Sequence, residues 1–88
     1  PDRFYLFQNY PNPFNPSTKI KFTLPSEANV SLKIFDVTGK QVTELVNGIL
    51  LAGIYEYTFD ALKLSSGIYF YRIESKDFTM VKKMMLVK

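Results

Sequence analysis

Residues 18–40 read TKIKFTLPSEANVSLKIFDVTGK, and this stretch decides the fold. Over Thr18–Leu24 apolar and polar residues alternate, with Ile20, Phe22 and Leu24 on one side and Lys19, Lys21 and Thr23 on the other. Side chains two residues apart share a face only in an extended chain, so the segment is a half-buried strand. Pro25 ends it, because proline brings no N–H to a ladder. Asn29–Val37 repeats the pattern, with Val30, Leu32 and Ile34 inward and Ser31 and Lys33 outward. Asp36-Val37-Thr38-Gly39 then forms a turn, in which an aspartate can accept backbone N–H groups and glycine supplies a positive φ.

The same punctuation continues in both directions. Lys40–Val46 resumes extended structure, and Asn47-Gly48 is the strongest two-residue turn signal in the chain. Ile49-Leu50-Leu51 and Ala52-Gly53 lead to Ile54–Asp60, where Tyr55, Tyr57 and Phe59 share a face opposite Glu56 and Thr58. Ala61–Ser66 is a connection ending at Gly67. Ile68–Ser75 is a strand, Lys76-Asp77 a two-residue turn, and Phe78–Lys88 a last strand. A weak edge strand at Phe4–Phe7 brings the total to seven. The expected fold is all-β: a seven-stranded antiparallel immunoglobulin-like sandwich formed as a single domain over 1–88. A small five-stranded barrel is the competing architecture. The Cys…Trp…Cys hallmark of antibody domains is missing, which makes the likeness architectural.

Composition narrows the chemistry. The chain has 88 residues with no Cys, no His and no Trp. Without thiol or imidazole there is no Cys nucleophile, no imidazole base, no disulfide and no thiolate or imidazole zinc site. No cofactor or metal site is expected, and catalysis is improbable. Asp36 and Asp60 lie beside turn signals, where capping accounts for them, and neither belongs to a carboxylate loop with calcium spacing. Glu56 and Glu74 would meet only through strand pairing. A chain of this mass folds to a surface of roughly 5,300 Å², which encloses one modest core. The net charge of +3 raises nucleic-acid binding. Lys19, Lys21 and Lys33, however, have the spacing of a solvated strand face, with Lys76, Lys82, Lys83 and Lys88 near the end; no nucleic-acid partner is expected. The charge-free, largely apolar run Leu45–Tyr55 is too short to span a bilayer as a helix, so no transmembrane segment is expected. Pro1-Asp2-Arg3 has no basic or apolar leader and reads as the start of a piece of a longer protein.

One segment is neither strand nor simple turn. Gln8–Ser17, QNYPNPFNPS, places prolines at 11, 13 and 16 and so carries no continuous ladder. It reads as a rigid lead-in that packs Tyr10 and Phe14 onto the sandwich and shields an edge. Asn9, Asn12 and Asn15 are positioned to satisfy nearby backbone groups.

Together, QNYPNPFNPSTKIKFTLP (8–25), VSLKIFDVTGKQVTEL (30–45), LSSGIYFYRIES (64–75) and VKKMMLVK (81–88) resemble the C-terminal sorting domain of type IX secretion cargo. The resemblance implies an immunoglobulin-like, non-catalytic module at the end of a large exported bacterial protein. It also implies an upstream cargo domain in the same chain, an outer-membrane secretion translocon as partner, and a surface sortase that removes the module. Cargo of this kind crosses the periplasm and ends at the cell surface or outside it. The family's early proline motif falls on Pro11, Asn12, Pro13 and Phe14, its mid-domain glycines on Gly39 and Gly53, and its Gly-x-Tyr motif on Gly67 and Tyr69. Its lysine-flanked terminal motif falls on Lys83, Met84, Met85, Leu86, Val87 and Lys88, with Met84-Met85 a variation on the usual single Met. In physical terms, an apolar strand flanked by cations offers backbone groups for strand addition and charges that set register.

Two other functions fit parts of the chain. A hook-capping immunoglobulin-like module shares the NPFNP-like start and the Asp-x-x-Gly turn, and would act in assembly; the terminal KKMMLVK speaks against it. A carbohydrate-binding or adhesion module would use Tyr55, Tyr57 and Phe59, or Tyr69 and Tyr71, as a stacking platform. Period-two aromatics are more often sandwich core.

Overall fold

The computed structural model describes residues 1–88. Its strands are β1 (Tyr5–Leu6), β2 (Ser17–Leu24), β3 (Ala28–Phe35), β4 (Gln41–Leu50), β5 (Gly53–Asp60), β6 (Gly67–Ser75) and β7 (Phe78–Leu86). They form two antiparallel sheets, ordered β1-β2-β5 and β4-β3-β6-β7, in a seven-stranded all-β sandwich. Relative to a constant-type immunoglobulin arrangement, the fourth strand has left the sheet of the fifth and pairs with the third.

Alternation places the core between the layers. Ile20, Phe22 and Leu24 from β2 face Val30, Leu32 and Ile34 from β3, Tyr69, Tyr71 and Ile73 from β6, and Met84 and Leu86 from β7. All are buried, and the folded surface is 5330 Å². Phe22 stacks between Tyr55 and Tyr57 at 5.5 and 6.0 Å between ring centroids. The aromatics weighed as a sugar platform therefore line the interior: Phe59, Tyr69 and Tyr71 are buried and Tyr55 and Tyr57 half-buried against the core.

The Asp36 turn forms as its residues require. Asp36 Oδ1 accepts Thr38 N at 2.8 Å, Thr38 Oγ1 at 2.6 Å and Lys40 N at 3.2 Å, while Gly39 takes φ 87°. The hydroxyl of Thr38 above all holds the Asp36 carboxyl below the usual carboxylate range.

Asn47-Gly48 is not a turn. Both residues lie inside β4, opposite Ser31 and Val30, and Gly48 is not among the glycines with positive φ. The ladder against β3 continues past the dipeptide to Leu50, and the chain reverses at Leu51-Ala52 to change sheets. A tight hairpin turn can join only neighbouring strands of one sheet, and β4 and β5 belong to different sheets. Glu56 and Glu74 likewise stand in different sheets, so strand pairing does not bring them together.

Candidate recognition site

The residues singled out by the family resemblance divide into a convergent group and two outliers. The convergent group is built around β7, an outer strand of the four-stranded sheet. On one side β7 pairs with β6, which sets Gly67 opposite Leu86, Ile68 opposite Met85 and Tyr69 opposite Met84. On the other side the proline-rich lead-in lies along it. Phe14 N donates to Met85 O at 2.9 Å and Val87 N donates to Phe14 O at 3.0 Å, forming a parallel bridge between Phe14 and Leu86. Asn12 Oδ1 accepts Met85 N at 3.0 Å, and Gln8 Nε2 donates to Lys83 O at 2.8 Å. Motifs some seventy residues apart in sequence thus form one three-layered strip.

An aromatic anchor and a polar network hold the lead-in there. The Phe14 ring enters the core at 2% exposure and lies 6.0 Å from Phe59. Tyr71 is fully buried; its hydroxyl accepts Asn9 N at 2.7 Å and donates to Phe7 O at 2.7 Å. Burial pushes the Tyr71 phenol up to about 12, against the opposing effect of the Asn9 N–H. Asn9 Nδ2 donates to Pro11 O at 3.1 Å and to Thr18 Oγ1 at 2.9 Å, and the Thr18 hydroxyl donates to Pro11 O at 2.8 Å. The X-Pro bonds at Pro11, Pro13 and Pro16 are cis.

Two expectations about the lead-in need correction. Tyr10 does not pack onto the sandwich: it is 80% exposed, because its bridge to Lys19 turns the ring to solvent while Phe14 takes the interior position. Asn12 reaches across to β7 and does not serve its own neighbours.

Along the terminal motif the side chains alternate. Met84 and Leu86 are buried, whereas Lys83, Met85 and Val87 are exposed. Val87 is 48% exposed because it continues the outward set of Lys83 and Met85. Strand addition, the recognition mode suggested by an apolar strand with flanking cations, meets an obstacle. Lys83 O, Met85 N, Met85 O and Val87 N, which point away from β6, are already bonded to Gln8, Asn12 and Phe14. Lys88 is also engaged within the chain: its ammonium donates to Leu62 O and to Leu64 O, the latter at 2.8 Å, and its N to Ser66 Oγ at 3.0 Å.

The Gly-x-Tyr motif has its own mechanics. Tyr69 Oη donates to Ser65 O, four residues upstream, at 2.7 Å, which is the tyrosine-corner arrangement of a sandwich strand. Gly67 takes φ 151°, a backbone region that favours glycine, where the loop turns into β6. The outliers lie elsewhere. Gly39 sits in the β3–β4 turn, and Gly53 opens β5 opposite Leu24, neither of them beside the terminal motif. Gln8, Asn9, Thr18 and Tyr71 complete the strip. The sequence signalled them weakly: Asn9 as a backbone-satisfying amide, the others only as a polar lead-in residue and ordinary strand residues.

Comparison with known proteins gives the context for this strip. The profile of the secretion system C-terminal sorting domain matches residues 8–88, and so includes the lead-in, the Gly-x-Tyr motif and the terminal motif. No curated protein sequence matches the chain. Among solved structures it is similar to PorZ, an essential bacterial surface component of the type IX secretion system of Porphyromonas gingivalis. That likeness has a TM-score of 0.63 at 19% identity and covers 99% of this chain but only 12% of PorZ, so it bears on the fold alone. With nearly its whole length matched, from the strap on β7 to the terminal lysine, this chain belongs to the secretion-system C-terminal sorting domain family, the sorting domain of type IX secretion.

Proposed function

We propose that the chain is a non-catalytic address that takes an upstream cargo across the outer membrane, and that the translocon reads it as a folded surface. The observation that carries this is the hydrogen-bonded strip joining Gln8–Phe14 to Lys83–Val87: the family's two end motifs make one object. Pro11, Asn12, Pro13 and Phe14 serve as the clamp, and Gly67 and Tyr69 support the opposite side of β7. Lys83, Met85 and Val87 are the groups presented, while Met84, Leu86 and Lys88 hold the strand in place. Gly39 and Gly53 shape turns remote from the strip. The absence of thiol and imidazole and the separation of the carboxylates support a role without catalysis. In this scheme the periplasm is a transit compartment, the cell surface or medium the destination, and a surface sortase removes the module.

The test is export of a reporter fused ahead of Pro1 in a type IX-competent host. The intact fusion is expected outside the cell, and a fusion lacking Val81–Lys88 inside it. Equal export of both sinks the proposal.

A further inference from the structure

The face of the four-stranded sheet that points away from the core is not uniform. At the end near the terminal motif it is apolar and cationic: Ile68 stands beside Met85, Phe70 beside Lys83 and Phe35, and Arg72 beside Val81 and Lys33. Two shallow depressions open there. One, of about 280 Å³, lies between Asn12, Pro13, Ile68, Lys83 and Met85; the other, of about 240 Å³, lies between Phe35, Asp36, Val37, Phe70, Arg72 and Val81. The Phe70–Lys83 pair separates them. Val81 is 51% and Met85 41% exposed although both belong to regular strand.

We propose that the domain docks through this face, by its side chains, onto a protein surface that sets carboxylates around an apolar centre. Charge complementarity names the partner. Lys33, Arg72 and Lys83 surround the apolar residues, and the Arg72 guanidinium lies over the Phe35 ring, 4.6 Å from its centroid. Of the charges on the patch, Arg72 is paired with Glu74 at 3.8 Å, Asp36 accepts from Thr38 and Lys40, and Glu44, opposite Lys33, accepts from Asn47 Nδ2 at 3.2 Å, whereas Lys33 and Lys83 make no ion pair within the chain. A partner that added a strand along the terminal motif would first have to displace the lead-in from Lys83, Met85 and Val87, whereas face docking uses the molecule as folded. The inference rests on the sorting function and specifies which surface is read.

The closing experiment uses the same reporter fusion, with thermal melts of each 88-residue variant to confirm the fold. Val81→Glu/Lys83→Glu is expected to reduce export about tenfold or more while melting near wild type, with Lys83→Gln intermediate. Ile54→Glu/Lys21→Glu, on the other sheet, is expected to export as wild type. Wild-type export by the Val81/Lys83 pair overturns face docking yet leaves the sorting function standing. A rise in export on Gln8→Ala/Asn12→Ala, which loosens the strap, overturns it in favour of strand addition. Binding of the wild type, but not of the Val81/Lys83 pair, to phosphatidylcholine–phosphatidylglycerol vesicles overturns it in favour of a lipid partner. If the unmutated fusion stays inside the cell, the sorting function fails and the docking face falls with it.

Discussion

The four-stranded sheet has two outer strands, β4 and β7, and the chain protects them differently. An unpaired edge invites pairing with another chain, and bulges, charges or a covering segment are the usual defences. Along β4 the pairing with β3 slips twice: Leu32 faces Val46 but Lys33 faces Glu44, and Ile34 faces Thr43 but Phe35 faces Gln41. Leu45 and Val42 are the extra residues, and such bulges bend and twist an edge away from a would-be partner. Along β7 the pairing with β6 runs without a slip from Gly67–Leu86 to Ser75–Phe78. A regular edge needs a cover, and the lead-in supplies it over Lys83–Val87. The contrast teaches that the strand bearing the terminal motif keeps a regular ladder, which aligns its outward side chains, at the cost of a dedicated strap.

The largest break in this contrast comes from removing the strap's anchor. Phe14→Ala takes a buried ring from the core and should cost about 3–5 kcal/mol. At roughly 4–8 °C per kcal/mol for a domain this small, the fall in Tm is plain in a calorimetric scan. A Tm near wild type would mean that the lead-in is held from outside the core.

Tyr71→Phe tests the polar pin, since it leaves the buried Asn9 N–H without its acceptor, at about 1–3 kcal/mol. It should also change the alkaline limb of the stability curve. A phenol raised from 10.0 to about 12 contributes stability that is complete below pH 10 and lost as pH rises to about 12. The wild type should lose about 2–3 kcal/mol more than the variant across that window in urea melts. Parallel curves would show that Tyr71 titrates as an ordinary exposed phenol.

Asn12→Ala removes one strap bond and should cost about 1 kcal/mol. Its signature is local: the Met85 amide, whose acceptor is lost, should exchange with solvent faster while amides of β3 and β4 do not change. Uniform acceleration would point to global destabilisation. The smallest effect is expected on the bulged edge. Gly48 is extended and has open space where a Cβ would sit, so Gly48→Ala should raise stability by about 0.5–1 kcal/mol. A loss there would restore the turn that the Asn-Gly dipeptide suggests.

Much of the fold is legible in residues that argue locally. Ile20, Phe22 and Leu24, and Val30, Leu32 and Ile34, carry the period of two that a half-buried strand imposes. Asp36 and Gly39 are what their turn needs, whatever the rest of the chain does. Legibility fails where a local preference meets a longer ladder. Asn47-Gly48 has the chemistry of a hairpin turn, yet pairing with Ser31 and Val30 carries the strand straight through it. It fails again at Tyr10 and Phe14, two aromatics in the same proline-rich setting: one is exposed and one is core, and nothing within the lead-in distinguishes them.

The candidate site divides along the same line. By itself the sequence determined that the chain is an all-β sandwich, that it lacks thiol and imidazole chemistry, and that its ordered motifs belong to a sorting domain. Only the tertiary structure decided that β7 is an outer strand, that the lead-in closes its edge, and that Lys83, Met85 and Val87 face solvent together. The physical reason is range. Alternation and turn chemistry act over a few residues and are written where they act. The bonds from Gln8, Asn12 and Phe14 to the terminal motif span more than seventy residues and exist only once both sheets have packed.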